Sequence, residues 1–192
     1  MSKPILQIFT VTTREGRKGP AVAAWFEQVA REYGKFEVEP IDLKTVNLPL
    51  MDEPEHPRLR RYKHEHTKAW SVSVQRADAF VFVTPEYNFS MPPSLVNAVD
   101  YLVHEWAYKP VGFVSYGGVS GGLRGVQMTK QLVTALKMMP VPEAVVLPLF
   151  TTAIDAETGR FAPPDLQARS GIAMLDELLR WAEALKPLRT LP

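Results

Sequence analysis

Apolar residues come along this chain in two rhythms: short unbroken runs, and longer stretches in which they return every three or four positions. The runs Ala79-Phe80-Val81-Phe82-Val83 and Val111-Gly112-Phe113-Val114-Ser115 show no alternation, the pattern of strands buried on both faces. Ile5-Leu6-Gln7-Ile8-Phe9 and Ala144-Val145-Val146-Leu147 predict two more strands, and residues 36–43 alternate, as a strand near a sheet edge does. Helical spacing fills the gaps. Val22, Trp25, Phe26, Val29 and Tyr33 share a helix face closed by Gly34, and residues 58–77 resume the pattern with Trp70, Val74 and Ala77 inward. Leu95, Ala98, Val99 and Leu102 predict a helix from Ser94 to about Trp106, ended by Lys109-Pro110. Val126, Leu132, Val133 and Leu136 mark the next, broken by Pro140-Val141-Pro142; Leu166, Ile172, Leu175, Leu178, Leu179, Trp181 and Leu185 mark the last, stopped at Pro187. Residues 49–57 and 151–165 read as loops. Strands alternating with helices predict one α/β domain with a parallel sheet wound on both faces, in the strand order 2-1-3-4-5.

Ligands of open α/β sheets sit at the carboxyl ends of the strands, so the loops after strands one, three and four hold the candidate chemistry. The first, residues 10–20, is dense in hydroxyls, glycine and positive charge (Thr12, Thr13, Arg14, Arg17, Lys18) and opens a helix. Free amides at a helix start, with guanidinium donors beside them, suit an anion such as phosphate; the bland reading is a solvated charged loop. The second, Thr84-Pro85-Glu86-Tyr87-Asn88, offers a carboxylate, a phenol and an amide, although Glu86 and Asn88 also suit plain turn formation. The third, Tyr116-Gly117-Gly118-Val119-Ser120-Gly121-Gly122, has four glycines that bring backbone amides close to a ligand. A phosphate at one end and a flat polar-edged ring at the other describe flavin mononucleotide (FMN).

Composition narrows the rest. A net charge of +1 argues against a nucleic-acid or membrane-surface binder, and no apolar run approaches the ~20 residues that span a bilayer. The start of the chain lacks a signal-peptide layout, and the expected location is cytoplasmic. With no cysteine, thiol catalysis and iron–sulfur ligation are excluded. There is no GxxxxGK[ST] loop, and no GxGxxG in the first turn, which disfavours nucleotide triphosphatases and ordinary dinucleotide folds. His64-Glu65-His66 carries no expected metal site, because positions i and i+2 of a helix point apart.

The run Thr84-Pro85-Glu86-Tyr87-Asn88-x-Ser90-x-Pro92-x-x-Leu95-x-Asn97-Ala98-x-Asp100-Tyr101-Leu102 resembles the PEYN segment of the NADPH-dependent FMN reductase family, flavodoxin-like quinone, azo-dye and chromate reductases. Residues 10–20 resemble that family's phosphate loop, and Ser115-Tyr116-Gly117-Gly118-x-x-Gly121-Gly122-x-Arg124 its glycine loop. Val11, Pro93 and Val96 depart from the pattern. The resemblance implies a flavodoxin-like three-layer α/β/α fold. It implies a phosphate site at Thr12, Thr13, Arg14 and Arg17, a ring site at Pro85, Glu86, Tyr87 and Asn88, and a pyrimidine-edge site at Ser115, Tyr116, Gly117 and Gly118. It further implies NADPH or NADH as co-substrate, a small-molecule electron acceptor, ping-pong turnover and a homodimer or homotetramer.

Chemistry in such an enzyme belongs to the flavin N5, so no side chain is assigned as catalytic. Tyr87 reads equally as a proton donor or a packing aromatic. His104, Glu105 and Trp106 fall where the family builds its dimer surface, or are plain capping and core residues. Two other functions stand beside the reductase: a non-enzymatic flavodoxin-type electron carrier, which the arginines of the first loop fit poorly, and a binding module with a decayed flavin site.

Overall fold

A computed structural model describes residues 2–190. Five parallel strands form one sheet in the order β2-β1-β3-β4-β5: β1 (Ile5–Thr10), β2 (Glu37–Asp42), β3 (Ala79–Pro85), β4 (Pro110–Gly117) and β5 (Met139–Pro148). Six α-helices connect and follow them: α1 (Gly19–Tyr33), the single-turn α2 (Leu43–Val46), α3 (Glu65–Arg76), α4 (Pro93–Asp100), α5 (Leu123–Ala135) and α6 (Asp165–Leu185). This is the flavodoxin-like arrangement the sequence predicts.

Period-two alternation within β3 separates the two cores. Ala79, Val81 and Val83 join Leu6, Ile8 and Val114 under α1 and α6, a largely aliphatic layer. Phe80 and Phe82 point the other way and, with Phe9, Phe113, Trp70 and Trp106, make an aromatic layer under α3, α4 and α5. Phe9 meets Phe82 edge-to-face with centroids 5.2 Å apart, a favoured aromatic geometry. Against β4, α6 comes close enough that a Cβ on Gly112 would stand 2.6 Å from Met174 Sδ.

Several elements differ from the sequence expectation. The helix expected over 58–77 starts only at Glu65, because the Glu53 carboxylate accepts the backbone N–H groups of Lys63 and His64 at 2.8 and 3.0 Å and caps the helix there. His64 is therefore an extended N-cap residue, and its ring stacks on His66 (5.2 Å, 7° between planes) instead of pointing away from it. The helix expected to reach Trp106 ends at Asp100, because the Trp106 indole N–H donates to the Val99 carbonyl and folds the following turn across the helix end. Trp106 and Glu105 are buried, as core packing requires. β5 runs from Met139, not Ala144: Pro140 and Pro142 lie in an edge strand, and the register slips opposite Val111 and Phe113 to take up the extra residues. After α6 the chain continues past Pro187 as a 3-10 helix to Thr190, and residues 150–153 are also 3-10, where a plain loop was expected.

Candidate functional site

Contacts among the first, third and fourth strand ends bring the three loops together. Val11 N–H donates to Val83 O at 3.2 Å, and the Ser94 hydroxyl donates to Val11 O at 2.7 Å, which ties the first loop to β3 and α4. Val11, where the family pattern has glycine, is fully buried in the aromatic layer. Thr12 meets Tyr116 of β4 at the first turn of α1: a Cβ on Gly19 would lie 2.5 Å from both hydroxyl oxygens. The second and third loops join through Glu86, whose carboxylate accepts from the Arg124 N–H (3.0 Å) and the Ser120 hydroxyl (3.2 Å) and pairs with the Arg124 guanidinium at 2.5 Å. That arginine, with Ser120, holds the Glu86 carboxyl below the usual carboxylate range against the effect of burial. Glu86 thus ties the second loop to the third.

At the first loop, no side chain caps the N-terminus of α1 and no acid lies in its first turn; Pro20 has no N–H and the Ala21 N–H donates to Lys18 O, so the Gly19 N–H and the helix dipole are what this end offers an anion. Arg17 is committed elsewhere. Its guanidinium forks onto both oxygens of Asp42 at 2.6 Å and donates to Thr12 O at 2.5 Å. The Asp42 hydrogen bond holds the Arg17 guanidinium above its ordinary range; in return, and despite partial burial, Arg17 and the Lys44 N–H hold the Asp42 carboxyl low. Arg14 is exposed and donates to the neighbouring Glu15 carbonyl at 3.3 Å. Thr13 faces another way, into a cavity of about 390 Å³ between α2 and α4, with Lys44 and Asn97.

In the second loop, Tyr87 and Ser90 exchange backbone hydrogen bonds at 2.9 Å, and both residues between them have positive φ, Asn88 at 50° and Phe89 at 70°. The turn is therefore of the I′ kind. In the glycine loop, Gly121 (φ 59°) and Gly122 (φ 84°) serve the turn itself, since a Cβ on Gly122 would lie 2.9 Å from Tyr116 O. A Cβ on Gly118 would meet nothing within 4 Å, so the loop borders open space there.

The hydroxyls of Thr12, Tyr87, Ser115 and Tyr116 are buried and find no hydrogen-bond partner among the described residues. Thr12 and Tyr116 lie side by side, and burial pushes the Tyr116 phenol up to about 12 against the opposing effect of the Thr12 hydroxyl. Unsatisfied buried hydroxyls are costly, and four of them at one rim fit a polar ligand such as FMN: two flank the open end of α1, and two come from the strand ends and turn that face the glycine loop. Asp42, Gly19 and Ser120 give no local sign in the sequence of a place at this rim. The parallel register Thr10↔Asp42 is the signal that would have put Asp42 beside the first loop.

Comparison with known proteins agrees with this geometry. The profile of the family described as NADPH-dependent FMN reductase matches residues 6–152. An NAD(P)H-dependent FMN reductase of Schizosaccharomyces pombe is 39% identical over 148 residues, 76% of this chain and 74% of that protein. A quinone reductase of Pseudomonas putida is 34% identical over 128 residues, 61% of this chain and 67% of that one. Among solved structures, the flavoenzyme NAD(P)H:(acceptor) oxidoreductase FerB of Paracoccus denitrificans superposes with a TM-score of 0.73 over 94% of this chain and 98% of that one, at 19% identity, a likeness of fold. Among the described residues no helix is long and apolar enough to cross a membrane. Matched by the family profile over most of its length, the chain belongs to the NADPH-dependent FMN reductases, a family of oxidoreductases.

Proposed function

We propose that this chain binds FMN at the convergence of its three loops and passes electrons from NAD(P)H to a small-molecule acceptor of the quinone, azo, metal-oxyanion or free-flavin kind, in a ping-pong cycle. The observation that carries the reading is the group of four unpartnered hydroxyls beside the open end of α1. FMN, when bound, supplies hydride acceptance and release at its N5. The chain supplies the rest. Thr12, Arg14 and the Gly19 end of α1 with its dipole hold the phosphate, while Arg17, locked to Asp42, keeps the loop in shape. Pro85, Tyr87 and Asn88 line the ring; Ser115, Tyr116, Gly117 and Gly118 present hydroxyl and backbone donors to its polar edge, where donors stabilise negative charge. Tyr87, with its buried free hydroxyl, can hold a proton there.

The names of the two relatives support the co-substrate and the quinone acceptor. A homodimer or homotetramer in the cytoplasm completes the proposal, the exposed Leu50 beside α4 offering apolar surface for a second copy. Steady-state oxidation of NADH and NADPH by FMN-loaded protein, with a naphthoquinone as acceptor, tests it. Parallel double-reciprocal lines are expected; converging lines overturn the ping-pong order, and no oxidation with any acceptor overturns the reductase.

A further inference from the structure

Resting on the flavin reading above, we infer that Phe89 sets acceptor specificity as an aromatic shelf, held on one face by Arg124, that favours flat aromatic acceptors over compact ones. Phe89 occupies the second central position of the Tyr87–Ser90 turn with φ 70°. That position of a type I′ turn is normally glycine, and a phenylalanine there is strained. Burial does not offset the strain, because the side chain is 64% exposed and belongs to neither core. Its ring meets the Arg124 guanidinium, 3.8 Å from the ring centroid.

Arg124 is itself fixed. Its guanidinium pairs with Glu86, and its backbone N–H donates to the same carboxylate. Gly125 lets α5 approach the turn this closely: a Cβ there would stand 2.9 Å from Ser90 O and 3.4 Å from Glu86 Cα. The ring therefore has one face covered by a pinned cation and the other open, at the mouth between the PEYN turn and the glycine loop. Such a face takes a planar π-system in offset stacking, which adds roughly 2- to 12-fold to binding, while a compact ion has no plane to match it.

The experiment uses the FMN-loaded protein and Phe89→Gly, chosen because glycine suits the positive φ and keeps the turn folded. The ratio of kcat/KM for 2-methyl-1,4-naphthoquinone to that for ferricyanide is expected to fall roughly 2- to 12-fold in Phe89→Gly and to be retained in Phe89→Trp. A binding measurement independent of turnover accompanies it: 2-naphthol, planar and not reducible by flavin, is titrated calorimetrically into both proteins. Its affinity is expected to drop by a similar factor in Phe89→Gly. An unchanged acceptor ratio, or unchanged 2-naphthol affinity, overturns the shelf even in a fully active reductase. Native protein that oxidises no NAD(P)H with either acceptor sinks the reductase reading instead, and the 2-naphthol titration still decides the shelf.

Discussion

Replacing Asp42 by asparagine separates two roles for Arg17. If the arginine is a brace, as its geometry says, the substitution loosens the first loop and weakens FMN; if it is a phosphate ligand restrained by Asp42, the substitution frees it and FMN binds more tightly. Two hydrogen bonds of 2.6 Å link the side chains, which are 14% and 31% exposed. Bonds between charged groups contribute about 1.5–3 kcal/mol when well shielded, and exposure of Asp42 lowers that to about 1–2 kcal/mol. Loss of one negative charge near the phosphate acts in the opposite sense, but screening holds it to about 0.5 kcal/mol. The brace wins. Urea unfolding of the FMN-free protein should show a loss of about 1–2 kcal/mol, and fluorescence titration a roughly 3- to 10-fold weaker FMN complex. The Asp42 carboxyl is held low in the fold, so its stabilisation is complete above the ordinary carboxylate range and fades as pH falls through the lowered value; Asp42→Asn should flatten the acid limb of stability below about pH 4. Unchanged stability together with tighter FMN would refute the brace.

Three further perturbations probe the same frame. Gly19→Ala puts a methyl 2.5 Å from Thr12 Oγ1 and Tyr116 Oη; a stability loss of about 1–3 kcal/mol and at least tenfold weaker FMN are expected, and an FMN complex of native affinity would show that this corner is not the phosphate end. Lys109 is buried, its Nζ donates to Val74 O and Gln75 O, and burial lowers its pKa to about 7. Between pH 7 and 9 the unfolded chain holds that proton and the folded chain has released it, so native stability should rise by about 1–2 kcal/mol relative to Lys109→Met; parallel pH curves would contradict a neutral lysine. Glu86→Gln removes the charge that joins two loops and should cost about 1–2 kcal/mol, with faster amide exchange over residues 86–90 and 120–124; unchanged exchange there would mean that Glu86 does not join them.

Strands β3 and β4 were legible because both faces are buried, so their central positions are apolar whichever way they point, with Thr84 and Ser115 the polar residues near their ends. The parallel sheet followed from the alternation of elements, and its order is the flavodoxin-like one. What local pattern did not carry were interactions from far along the chain. Glu53 caps α3 from the preceding loop, Trp106 takes the carbonyl of Val99, and an edge position lets β5 keep two prolines. At the site, the hydroxyls and glycines were visible as residue types, but their assignments were not. Arg17 forks onto Asp42 because β2 delivers that carboxylate beside it, and half of the glycines close the turn on itself. Phe89 gave no signal, since a phenylalanine at positive φ is only recognisable once the turn is seen.

The central claim is that the first loop grips a phosphate while the other two hold the flavin ring. Equilibrium titration of the flavin-free protein with FMN and with riboflavin, which lacks only the phosphate, tests it most directly. Two or more charged hydrogen bonds to the phosphate predict that FMN binds at least about 100-fold more tightly; equal affinities for the two flavins, or no binding of either, would contradict it.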